Sequence, residues 1–198
     1  MPASHPVGGL DHRDARVLLA GIVGEDKIAT DPDGVARILQ LCGGLPLAVR
    51  IAGARLRARP TWTATDLANR LAGERRRLDE LHVGNLAVRT TFEASYRELS
   101  AVDRTVFRRA GSHPVRVFGV GAAAALAGLH ETAVAAALER LVDVHLADSP
   151  TPDRYRLHDL LRLFATERLS IEESPADRAA CLMSARATGS VLGQTRVR

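Results

Sequence analysis

Aromatic residues make up only 4% of this 198-residue sequence, and cysteine occurs twice, as Cys42 and Cys181. Two thiols so far apart match no metal-ligand spacing, so no bound metal is predicted. Their small number points to a reducing compartment. No run is apolar for the roughly 20 residues that a membrane-spanning helix needs, and residues 1–9 lack the apolar centre of a secretion signal. A cytoplasmic protein with no membrane partner is therefore expected. Lysine is nearly absent as well: Lys27 is the single one. It lies in Gly24-Glu25-Asp26-Lys27-Ile28, which is not the Gly-x-x-x-x-Gly-Lys-Ser/Thr loop whose amides and lysine cradle phosphates. Gly119-Val120-Gly121 is too short for such a loop and runs into alanines. No apolar strand ends in an acidic pair that could hold magnesium. With neither Walker A nor Walker B, the template for phosphoryl transfer is empty. The seven histidines are scattered without Cys or Ser partners, and Gly-x-Ser-x-Gly is absent. An enzyme is not expected, and no catalytic residue is assigned.

What is present is aliphatic. Hydrophobic residues make up 46%, much of it Ala, Leu and Val, which supports a buried core and a mostly helical fold. The length suits one ordinary domain or two small ones. The formal charge is +4, with the positive side almost all arginine. That balance reads either as a solvated surface or as an attraction to phosphate, and its size does not establish nucleic-acid binding.

Residues 1–9 read as a disordered start. A helix is expected from Asp11, with Val17, Leu18, Ile22 and Val23 as its apolar stripe and Gly24 as its stop. Residues 25–31 read as a polar turn. Pro32 opens a second helix, which Gly43-Gly44 ends. A third starts in Gly44-Leu45-Pro46-Leu47-Ala48 and closes at Pro60, and a fourth begins at Thr65 or Asp66. Arg75, Arg76 and Arg77 form a basic cluster. Val83-Gly84-Asn85 reads as a turn between two subdomains, 10–83 and 86–169. The second is expected to hold helices at 88–99, from Ser100-Ala101-Val102-Asp103 onward, at 121–126 and at 132–142. His145–Asp148 and Arg154–His158 then read as the two strands of a small wing around a turn at 149–153, and Asp159 as the cap of a closing helix. The predicted fold is thus a helical bundle followed by a winged helix. Residues 170–198 read as a tail or the start of a missing domain.

Two segments stand out: Cys42-Gly43-Gly44-Leu45-Pro46-Leu47-Ala48 and Arg154-Tyr155-Arg156-Leu157-His158-Asp159-Leu160. In order and separation they resemble the Gly-Leu-Pro-Leu-Ala and His-Asp motifs of the NB-ARC and related STAND nucleotide switches. Phe92-Glu93-Ala94-Ser95-Tyr96 and Leu138-Glu139-Arg140-Leu141-Val142-Asp143 are similar to the AfsR/SARP-type bacterial transcriptional regulators in particular. The resemblance covers roughly residues 10–169, as an ARC1-like bundle and an ARC2-like winged helix. It implies a regulatory, ADP-sensing module that is not catalytic alone. It further implies that ADP or ATP binds only with a P-loop NTPase domain, in cis or in trans. Gly44, Leu45, Pro46 and Leu47 would be nucleotide-binding, with Pro46 packing on adenine. His158 would touch the β-phosphate, and Asp159 would orient its loop. A repeat domain or another protein is a further expected partner.

Each motif also has a plainer reading. Gly43-Gly44-Leu45-Pro46 can be a helix stop and restart, and His158-Asp159 a strand end and cap. The chain can also be a winged-helix DNA binder, or a truncated relic acting only through protein contacts. Against direct DNA contact, the helix at 132–142 is expected to turn Glu131, Thr132, Glu139, Arg140 and Asp143 outward, a face poor in positive charge.

Overall fold

The computed structural model describes residues 9–83, 86–180 and 183. Residues 1–8 of the start expected to be disordered, Gly84 and Asn85 of the expected turn, Cys181 and the end of the tail lie outside the described residues. The chain divides into two compact units between Glu93 and Ala94.

The first unit runs α1 (His12–Val23), α2 (Glu25–Thr30), α3 (Pro32–Cys42), α4 (Pro46–Arg57), α5 (Ala64–Ala72) and α6 (Glu74–Glu80). A short antiparallel pair follows, β1 (His82–Val83) with β2 (Leu86–Ala87). The segment expected as a polar turn at 25–31 is instead α2. Ile28 is buried there, and this apolar anchor stabilises the single turn and a half. Helix α1 packs on α4, and α3 on α5. Glycine permits both approaches. A Cβ at Gly53 would stand 2.9 Å from a methyl of Ile22, and one at Gly34 would stand 2.4 Å from the amide nitrogen of Thr65. Leu19, Ile38, Ile51, Leu56, Leu67 and Leu71 fill the space between these helices.

One carboxylate starts two of these helices. Asp31 accepts from the Gly34 amide of α3 (3.0 Å) and from the Thr65 amide of α5 (2.7 Å). A helix start leaves amides without intrahelical partners, and an N-cap acceptor satisfies them. The N-cap of α5 is Thr63, which forms a reciprocal capping box with Asp66, so that the helix begins at Ala64 and not at Thr65 or Asp66 as expected.

The second unit contains the end of α7 (Val88–Arg97), then α8 (Ala101–Ala110), β3 (Val117–Gly119), α9 (Val120–Ala127), α10 (Glu131–Asp143), β4 (Asp148–Thr151), β5 (Arg154–Arg156) and α11 (Asp159–Glu172). A further helical stretch covers 175–180. The sheet has the order β3-β5-β4, antiparallel throughout. Helices α9 and α10 meet at 107° across Gly128-Leu129-His130, and Gly128 takes the left-handed conformation that ends α9. This is a helix-turn-helix inside a winged helix. Tyr96, Phe107 and Phe164 gather in the core with ring centres 5.8–6.2 Å apart. The scarce aromatic residues are thus concentrated where large area is needed.

The wing differs from expectation. It has a third strand, β3, in which Phe118 pairs with Tyr155 and both are buried. Its first hairpin strand begins at Asp148, not His145. His145 has φ 60°, and the Leu146 and Ala147 amides both donate to the Leu141 carbonyl. The chain leaving α10 therefore closes the helix end before it extends.

Hydrogen bonding, led by the Thr65 amide, holds the Asp31 carboxyl below its ordinary value. A lowered folded value stabilises above the ordinary carboxylate range and is lost as pH falls through the folded one. Asp31→Asn keeps an acceptor without the charge. It is expected to flatten the acid limb of thermal stability below about pH 4, measured by circular dichroism melts from pH 7 to pH 2.5.

Candidate functional site

The two motifs fall in different units, and each is described within its own. In the first, α3 ends as Gly43 adopts φ 60° and its amide donates to the Leu39 and Gln40 carbonyls. Gly44 has φ 78°. Its carbonyl accepts from the Leu10 amide at 2.8 Å, and a Cβ on it would stand 2.5 Å from the Leu10 oxygen. Both facts require glycine: the backbone conformation disfavours a side chain, and the incoming chain leaves no room for one. Leu45 is the N-cap of α4 and contributes no side-chain cap, and Pro46 is its first residue. Pro46 is exposed, while Leu45 and Leu47 are half-buried. The motif thus presents a rigid pyrrolidine beside helix-start amides that no side chain caps.

In the second motif, Tyr155 on β5 is buried, with its hydroxyl bonded to Glu139 of α10. Leu157 is buried as the strand ends. His158 then takes the N-cap position of α11, and its Nδ1 accepts from the Leu160 amide at 3.2 Å. An accepting Nδ1 selects the neutral tautomer whose proton is on Nε2, so that nitrogen is a donor. Asp159 does not cap the helix, contrary to expectation. It is the first helical residue, and its carboxylate pairs with Arg116, just before β3. The reversal follows from geometry. A cap acceptor must come from the residue whose backbone is still extended, and His158 has ψ 146°.

Sequence reading missed the supports of this loop. Arg162, one turn into α11, donates to the Gly111 and His113 carbonyls at 3.2 and 2.7 Å. This ties α11 to the end of α8. His113 is buried against Phe118, with ring centres 5.3 Å apart. Burial and then the nearby Arg162 charge push its pKa down, opposed by its Val115 hydrogen bond. Nothing in the sequence near 111–116 signals these contacts, because their partners lie 49–51 residues away.

The other predicted surfaces also resolve into particular roles. Glu131, Thr132, Glu139, Arg140 and Asp143 are all exposed on α10. Arg140, the single basic residue among them, is bound to Asp103 of α8 at 3.0 and 2.6 Å. That leaves the face acidic, which repels a phosphate backbone. The Arg75–Arg77 cluster is not one patch. Arg77 is buried and caps the end of α5 through the Leu71 and Ala72 carbonyls, whereas Arg76 is exposed. The side chain of Arg75 lies outside the described residues. Among the described residues no single helix is long and apolar enough to cross a membrane.

Gly44→Ala is expected to lower the melting temperature of the chain. A side chain in the left-handed region costs about 1–2 kcal/mol, and the clash with Leu10 adds to it. Thermal melts of this variant beside Gly21→Ala, where a Cβ meets nothing within 4 Å, check the difference.

No family model matches the chain. It is 42% identical over 171 residues to "Regulatory protein AfsR" of Streptomyces griseus, an alignment covering 86% of this chain and 18% of that protein. It is 43% identical over 173 residues to the AfsR regulatory protein of Streptomyces coelicolor, covering 85% of this chain and 17% of that one. The chain is therefore similar, over most of its own length, to one segment of a regulatory protein more than five times longer than the matched part.

Proposed function

We propose that this chain is the nucleotide-sensing regulatory portion of an AfsR-type transcriptional regulator of the STAND class, and that it catalyses nothing alone. Similarity to proteins named for regulation supports the coarser part of this reading. The finer part rests chiefly on His158. Its ring is oriented by the Leu160 amide and carries a donor nitrogen at the start of α11, where the helix dipole favours an anion. A terminal phosphate of ADP is such an anion. Pro46, in the first unit, supplies an apolar surface for a flat base, exposed at the start of α4.

Nucleotide would then hold two regulatory pieces against a P-loop domain that supplies most of the affinity. Exchange of ADP for ATP changes the charge that His158 meets, and differential contact of this kind is what shifts a two-state equilibrium. Asp159 acts indirectly, by keeping Arg116 occupied at the mouth of the His158 loop.

The test uses calorimetric ADP titration of the chain joined to, or mixed with, the P-loop domain of its regulator. His158→Ala removes both the helix cap and the phosphate donor. His158→Asn restores a good cap acceptor without the imidazole. Loss of about tenfold or more in ADP affinity is expected for both variants, as for loss of a hydrogen bond to a charged group at about 1.5–3 kcal/mol. Melting temperature is expected to fall only for His158→Ala. Unchanged ADP affinity in a folded His158→Asn protein would leave His158 as a helix cap alone.

A further inference from the structure

The charge of this chain is unevenly placed. Residues 50–77 carry eight arginines against two acids, Asp66 and Glu74, so this stretch alone exceeds the +4 of the whole sequence. The structure sorts seven of the eight, all but Arg75. Arg55 is largely buried, 12% exposed at its side chain, and is consumed by the Glu80 carboxylate and carbonyl. Arg77 turns inward onto α5. Arg50, Arg57, Arg59, Arg70 and Arg76 are exposed. Among the described residues, only Arg70 of these five lies within ion-pair distance of a carboxylate, 3.7 Å from Glu80.

Two of the exposed arginines are held in place. The guanidinium groups of Arg59 and Arg70 each lie over the ring of Trp62, 4.5 Å from its centre. Lys27 fastens the same turn, with Nζ 2.9 Å from the Pro60 carbonyl. Stacking orients a guanidinium and leaves the N–H groups along its edge to meet an oxyanion in two places at once. Beside them an open cleft of about 830 Å³ is lined by Asn69, Arg70, Gly73, Glu74, Arg76 and Glu80. The five exposed arginines share these elements with Asp66, Glu74, Asp79 and Glu80, but Glu80 is engaged by Arg55 and Arg70 and Asp79 by Arg89, so a positive excess remains along the end of α4, the turn at Trp62, α5 and α6.

We propose that this surface of the first unit docks the phosphate backbone of double-stranded nucleic acid, without reading its sequence. The proposal is independent of the nucleotide site. Evenly spaced, fully ionised phosphates can meet arginines spread over this breadth together. An acidic peptide would have to order each flexible side chain to do the same. Base stacking is not the mode, because guanidinium groups already cover Trp62. The winged helix is not the site either, since its α10 face is acidic.

Trp62 is the single tryptophan of the chain, so its fluorescence reports on this surface alone. Residues 1–198 are titrated with a mixed-sequence 20-base-pair DNA duplex, following both Trp62 emission and the anisotropy of labelled DNA. Binding is expected at 50 mM salt with a change in Trp62 emission, and it is expected to weaken at least tenfold by 200 mM. Arg59→Ala with Arg76→Ala is expected to make the slope of log affinity against log salt shallower by about two, near 0.9 for each lost contact. Circular dichroism confirms that this exposed double variant is folded. Three results would overturn the proposal: no binding by folded protein at 50 mM salt; binding that leaves Trp62 emission unchanged and is lost instead in Arg154→Ala, which places DNA on the wing; or tighter binding to poly-glutamate than to duplex, which makes the partner an acidic protein segment.

Discussion

The fold depends on satisfying the ends of short helices. Its helices run from 6 to 14 residues, and every helix leaves amides at one end and carbonyls at the other without intrahelical partners. A chain of many short helices multiplies those ends. Here the carbonyl ends are met by basic side chains from elsewhere in the same unit. Lys27 reaches the turn after α4, Arg77 the end of α5, Arg55 the end of α6, Arg162 the turn after α8 and Arg109 the end of α9. Cations at helix C-termini also complement the helix dipole. Four arginines, Arg55, Arg77, Arg109 and Arg162, are therefore part of the internal architecture.

The same constraint shapes both motifs. At Gly44 the difficulty is to end α3, admit the chain at Leu10 and begin α4 within three residues, which only a glycine backbone allows. At His158 the cap acceptor is an imidazole where Ser, Thr, Asp or Asn is usual. That choice gives the Nδ1 of the ring to the Leu160 amide as the cap acceptor. Asp159 is drawn to Arg116 instead, so its part in the loop is electrostatic.

Most helices were legible because their signals are local. Asp11, Pro32, Ser100 and the repeating apolar positions of α10 each act within one or two turns of chain. The mostly helical class and the order of elements in the winged helix followed from these. The failures share a cause. Helix α2 was read as a turn because its stability comes from burying Ile28 against other helices. Strand β3 has three residues, too few for a period, and exists because β5 pairs with it. The start of β4 was misplaced because the Leu141 carbonyl, not local propensity, holds Leu146 and Ala147. At the candidate site Pro46 and His158 were visible through a motif, but Arg116, Arg162 and His113 had no signal within reach.

By itself, the sequence determined where most of the helices lie, the lack of a phosphate-binding loop motif, and the pair of motifs that resemble a nucleotide switch. These are properties of residue type at short separations, where propensity and periodicity act. Only the tertiary structure decided which nitrogen of His158 donates, whether Asp159 caps or pairs, and which arginines stay exposed. The last two turn largely on groups as far as 51 residues apart competing for the same carbonyls and carboxylates, whereas His158 is set by an amide two residues on. Folding settles that competition by distance and burial, neither of which is written in the local sequence.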